Sequence, residues 1–196
     1  LKPFNEPVTS CVWAPGGQAI ILGTLSTTDG LCQWSLDGEL QFRLSKDQRI
    51  EDVAISRDGR WLVAAAFRSK VLIYDYHTRE LEAELDLGVR ATSLDVCGQS
   101  RYVLANRQDG GAMLIDLATR ETRAMYSGAK GGDYAIRAEF GGANEAYVIS
   151  GSEGETTFFF GQRAVQAIFR LTRVFRWTYL HLAQGDWVFS KEDVGS

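Results

Sequence analysis

Trp61-Leu62-Val63-Ala64-Ala65-Ala66-Phe67 is a nearly continuous apolar run that ends in the turn Arg68-Ser69-Lys70. A short run of this kind, bounded by turn residues on both sides, suits a strand buried on both faces rather than a helix. Before it, Arg49 to Ser56 alternates and reads as a strand. Arg57-Asp58-Gly59 then makes a turn whose glycine tolerates positive φ. After it, Val71 to Tyr76 forms a third strand. Arg79 to Asp86 alternates as a charged fourth strand, the character expected of a sheet edge that must resist aggregation. Residues 49–86 therefore read as four short strands joined by tight hairpins.

The same phrase recurs along the chain. Val12-Trp13-Ala14-Pro15-Gly16-Gly17 aligns with Ala54-Ile55-Ser56-Arg57-Asp58-Gly59 at an offset of 42. Leu94-Asp95-Val96-Cys97-Gly98-Gln99-Ser100 follows 41 residues later, and Glu139-Phe140-Gly141-Gly142 about 44 after that. A second landmark keeps step: Gln33-Trp34-Ser35, Ile73-Tyr74-Asp75, Leu114-Ile115-Asp116 and Phe159-Phe160-Gly161. A β-sandwich gives regularly spaced strands but does not repeat one four-strand phrase at this interval. The pattern predicts an all-β fold of β-propeller blades at about 7–45, 49–86, 89–126 and 134–160, the last incomplete.

The phrase resembles the WD40 repeat, with structural signature positions at Trp34, Tyr74, Asp75, Ile115 and Asp116. The Gly-His that usually opens such a repeat is absent, and Gly128-Ala129 stands in its place. The resemblance therefore implies blades without most of the His-to-Asp network, leaning more on apolar packing. A narrower likeness runs from Tyr126-Ser127-Gly128 through Tyr134-Ala135-Ile136-Arg137 to Phe140-Gly141-Gly142-Ala143-Asn144-Glu145, then Tyr147-Val148-Ile149-Ser150-Gly151-Ser152-Glu153. This is similar to the WD-repeat subunit of the GID/CTLH ubiquitin ligase complex. Arg49 to Ser56 and Val89 to Leu94 also match phrases of that family. The likeness covers about residues 5–160 and is most specific in its final stretch. It departs at Gly154, where the family has Asp, and carries no counterpart of the family's LisH and CTLH helices. It implies a non-enzymatic scaffold in ubiquitin-dependent protein degradation, cytoplasmic or nuclear, whose partners are ligase subunits or substrates. The alternatives are a WD40 adaptor of another complex and a propeller hydrolase.

Composition narrows the function classes. With 45% apolar and 11% aromatic residues, the chain has enough apolar surface for a packed core. The net charge of −4 argues against a nucleic-acid surface, which needs clustered cations. No apolar stretch reaches the ~20 residues of a membrane-spanning helix, no signal peptide opens the chain, and no membrane is expected as a partner. Cys11, Cys32 and Cys97 are odd in number and widely spaced, which predicts buried free thiols rather than disulfides. No His, Cys and carboxylate cluster has metal-ligand spacing, and no cofactor is expected.

Catalytic signals are weak. His77 reads as a turn residue, and His181 has no partner identifiable by spacing. Ser150-Gly151-Ser152-Glu153-Gly154 lacks the spacing of a nucleophile elbow, and Gly128-Ala129-Lys130-Gly131-Gly132 lacks that of a phosphate loop. No catalytic residue is expected. Propeller loops instead present side chains for protein recognition. By the strand reading Asp29, Arg68, Asp109 and Glu153 occupy equivalent second turns and are the candidate protein-binding residues.

The pattern fails after residue 160. Residues 161–196 hold five basic and three acidic side chains, net +2, which leaves −6 on residues 1–160. Arg163 to Leu182 fits a basic amphipathic helix, yet its Phe, Trp, Tyr, Thr and Val suit strands equally. A third reading is a frame or splice boundary that replaced the end of the fourth blade with this divergent tail. Closed propellers need about 4–8 blades and each blade needs neighbours, so the count predicts an open arc.

Overall fold

A computed structural model describes residues 6–45, 47–154, 156–162 and 167–172, with residues 156 and 167–172 described through their backbone alone. The first sheet contains β1 (Val8–Trp13), β2 (Ala19–Thr24), β3 (Leu31–Ser35) and β4 (Leu40–Ser45). The second contains β5 (Ile50–Ile55), β6 (Trp61–Ala66), β7 (Lys70–Asp75) and β8 (Leu81–Asp86). The third contains β9 (Ala91–Val96), β10 (Tyr102–Arg107), β11 (Ala112–Asp116) and β12 (Thr122–Tyr126). The fourth contains β13 (Ala138–Gly141), β14 (Tyr147–Ser150), β15 (Thr156–Gly161) and β16 (Ala167–Thr172). Within each sheet the strands pair antiparallel in chain order. Neighbouring sheets meet mainly through their first strands, so β1, β5, β9 and β13 are innermost and the last strand of each sheet is outermost. The four sheets are blades of a partial WD40-type propeller.

Period-two alternation explains how one strand serves two seams. Leu62, Ala64 and Ala66 of β6 pack with Ile21 and Leu31 of the first blade. Trp61, Val63 and Ala65 point the other way and pack with Leu94, Val103 and Ala105 of the third. All six residues of β6 are buried, which is why its sequence is apolar without alternation. The third seam joins Leu104, Leu114 and Tyr126 to Val148, Phe158 and Phe160 of the fourth blade.

Three local readings change. The buried strand stops at Ala66, and Phe67, whose N–H still donates to the Arg49 carbonyl at 2.8 Å, is 44% exposed. Cys32 and Cys97 are buried, but Cys11 is exposed. The equivalent Val53 and Leu94 are covered by the preceding blade, whereas no described sheet covers that side of β1. Finally, the fourth sheet takes its outer strand from Ala167–Thr172, beyond the point where the repeat fades and within the segment that fits an amphipathic helix. The edge of β15 offers open backbone groups, and Thr157↔Leu171 and Phe159↔Phe169 pair there as strand formers do. The rest of that segment, with His181, lies outside the described residues.

Candidate protein-interaction face

The seams are also tied by polar contacts one repeat long. The Ser10 hydroxyl accepts the Val53 N–H (3.3 Å), the Asp52 carboxylate that of Leu94 (2.8 Å), and the Ser93 hydroxyl that of Ala138 (3.1 Å). Residues 10, 52 and 93 are the same repeat position, so each inner strand offers the next an acceptor there. These bonds join the blades alongside the apolar seams. Asp52 also holds the Arg137 guanidinium at 3.3 Å, which links the second blade to the segment that enters the fourth. Asp95 accepts the Phe140 N–H at 2.8 Å. Burial pushes its carboxyl up to about 6; Glu139 and Glu145 add to the rise, and the Phe140 N–H opposes it.

The opposite pole of the third seam explains the Phe140 to Glu145 motif. Gly142 has φ 78° and a Cβ there would meet the Tyr147 ring at 2.6 Å. Its turn carries Glu145, whose two carboxylate oxygens accept the Gly98 N–H at 2.8 and 2.9 Å. The motif is a clamp between blades.

Because the strands alternate in direction, the turns between second and third strands share one end of every blade with the connections to the next blade. That end gathers turns 25–30, 67–69, 108–111 and 151–154 and connections 47–49, 87–90 and 127–137. Residues 127–137 form a strap over two of the turns. A Cβ on Gly131 would lie 1.8 Å from the Gln108 carbonyl oxygen, and one on Gly110 2.4 Å from that of Ala129. The two backbones thus interlock where only glycine fits. The Ser152 hydroxyl accepts the Lys130 N–H (2.8 Å), and Glu153 Oε1 accepts the Tyr134 N–H (2.7 Å). Gln108 Nε2 donates to the Gly132 carbonyl at 3.0 Å. These anchors hold Tyr134 outward at 73% exposure.

Asp29, Arg68, Asp109 and Glu153 all lie in the second turns at this end, but in different roles. Asp29 pairs with Arg43 at 2.9 Å, and Asp109 with Arg107 at 2.5 Å while also accepting the Gly111 N–H. Glu153 is committed to the strap. Arg68 is exposed and has no carboxylate partner among the described residues. Arg49, Phe67 and Tyr134 also reach this surface. They escape the sequence reading because Phe67 closes an apolar run and Tyr134 falls at the start of the expected fourth blade, 134–160.

The signature positions are structural. Tyr74 and Ile115 are buried in successive seams. Asp75 Oδ1 accepts the N–H groups of His77 and Thr78, and Asp116 Oδ1 those of Ala118 and Thr119, so both close the turn to the outer strand. The N–H groups of Thr78 and His77 hold the Asp75 carboxyl below its usual range. Trp34 donates its Nε1–H to the Cys32 sulfur at 3.3 Å. His77 is an exposed turn residue whose ring meets Tyr76 edge-on at 5.8 Å. Among the described residues no group of three or more His, Cys, Asp or Glu side chains could hold a metal ion. No described helix is long and apolar enough to cross a membrane.

Comparison with known proteins gives a consistent set of relatives. The chain is 32% identical over 155 residues to GID complex subunit 7 of Schizosaccharomyces pombe, covering 76% of this chain and 30% of that protein. It is 30% identical over 152 residues to a WD repeat-containing protein 26 homolog of Arabidopsis thaliana, covering 76% and 25%. A WD repeat-containing protein WDS homolog from the same plant is 26% identical over 154 residues, covering 77% and 29%. The chain thus spans less than a third of the length of these relatives. No family model matches it.

Proposed function

The chain is a WD-repeat protein that resembles GID complex subunit 7, and from that premise we propose that it is a non-enzymatic interaction scaffold of a GID/CTLH-type ubiquitin ligase. In this reading it binds ligase subunits or substrates in the cytoplasm or nucleus and contributes to ubiquitin-dependent degradation by holding proteins together. The observation that carries the interaction role is the strap. Its backbone is locked by Gly110 and Gly131, and its anchors Ser152 and Glu153 hold an aromatic side chain in water. A rigid, exposed tyrosine loses little entropy on binding and supplies a large contact area, which suits recognition of another protein. The narrower assignment draws support from the name of the fission-yeast relative and from the motifs between residues 126 and 153.

Affinity purification of the tagged protein, followed by identification of what comes with it, tests this. Recovery of other GID/CTLH subunits is expected. Recovery of a different stable complex without any of them would leave a WD-repeat adaptor and refute the ligase assignment.

A further inference from the structure

The geometry points to the Arg49–Phe67–Arg68 patch as a docking site for an acidic peptide segment that carries an apolar anchor. This rests on the interaction-face reading above and names the chemistry of one partner segment. On the same face Arg43, Arg90, Arg107 and Arg137 each hold a carboxylate, from Asp29, Glu51, Asp109 and Asp52. Arg49 and Arg68 are exposed and hold none among the described residues. Between them Phe67 is 44% exposed, with the Arg49 guanidinium 5.9 Å from its ring centroid. One guanidinium against a phenyl ring and a second on the adjoining residue match carboxylates beside an apolar side chain.

The backbone supplies a second, independent observation. Arg68 (φ 66°) and Ser69 (φ 68°) are both in the left-handed region, which disfavours any residue with a Cβ. In the equivalent turn of the third blade the counterpart of Ser69, at an offset of 41, is Gly110 at φ 88°. Ser69 offsets its cost through a 2.5 Å hydrogen bond to Asp86. The Arg68 side chain makes no comparable bond. Arg68 thus holds a left-handed conformation that glycine adopts more freely, while its side chain holds no carboxylate among the described residues. A peptide fits better than a nucleic acid. Two cations neutralise too few phosphates for useful counterion release, and a phosphate backbone has nothing to place on Phe67.

The test uses the whole protein and a short fluorescein-labelled peptide rich in Glu and Leu, read by fluorescence anisotropy. Gln/Leu and Glu/Ser peptides and a short DNA duplex serve as controls. The Glu/Leu peptide is expected to bind best and to weaken as salt rises from ~50 to ~300 mM. Arg49→Gln, Phe67→Ala and Arg68→Gly are each expected to weaken it about fivefold or more. Arg68→Gly separates binding from folding, because relief of the turn should raise the melting temperature while affinity falls. Failure of the Glu/Leu peptide to bind would overturn the inference. So would equal binding of any control, or unchanged affinity in Arg68→Gly. Copurification of ligase subunits by the wild-type protein, measured in parallel, reports on the scaffold reading separately.

Discussion

Asp95 and Asp52 show how two chemically identical side chains at successive seams meet different surroundings. Asp95 is half-buried near the Glu139 and Glu145 carboxylates, and desolvation raises its carboxyl to about 6. The folded protein therefore holds that proton more tightly than the unfolded chain. Stability from this group is fully present below pH ~4 and declines as pH rises through ~6, by at most about 3 kcal/mol. Asp95→Asn, which keeps an acceptor for the Phe140 N–H, should raise the denaturation midpoint at pH ~7.5. The difference from wild type should close near pH ~4. A constant difference across that range would contradict the burial argument. Asp52 has the Leu94 N–H and Arg137 as partners. Asp52→Ala leaves a buried donor unsatisfied and should destabilise by about 2–4 kcal/mol in urea unfolding. Neither role is legible in the sequence, since it depends on which strand of the next blade faces each carboxylate.

At the scale of the element, β6 is the most legible part of the chain. Its run of Trp, Leu, Val and Ala has one reading, a doubly buried strand, and only the outward turn of Phe67 escapes it. β16 is the least legible. Its Ile, Phe, Arg, Leu and Thr satisfy helical and strand patterns alike, and only the open edge of β15 decides between them. The strap lies between these extremes. Its glycines mark a connection, but interlocking of Gly131 with the 108–111 turn requires the fold. Gly131→Ala must push the strap off Gln108, so trypsin should cut after Lys130 faster than in the wild-type protein. An unchanged cleavage rate would count against the interlock.

At the scale of the molecule, periodicity of about 41 residues in two landmarks makes the blades readable before any contact is known. What the period cannot tell is which side of each blade is covered. Cys11 reports this directly, because its repeat equivalents are buried while it is exposed. A thiol reagent should modify one cysteine quickly in the native protein and all three after denaturation; fast reaction of Cys32 or Cys97 would contradict the packed seams. The exposed side of β1, with Trp13 at 61%, also favours self-association when the chain is alone. The central claim is that one end of the blades carries the binding function. Hydrogen–deuterium exchange on the protein free and in its purified complex tests it most directly. The account predicts that binding protects 67–70, 108–111 and 127–137 and leaves the opposite turns 57–60 and 98–101 unchanged. Protection confined to those opposite turns would contradict it.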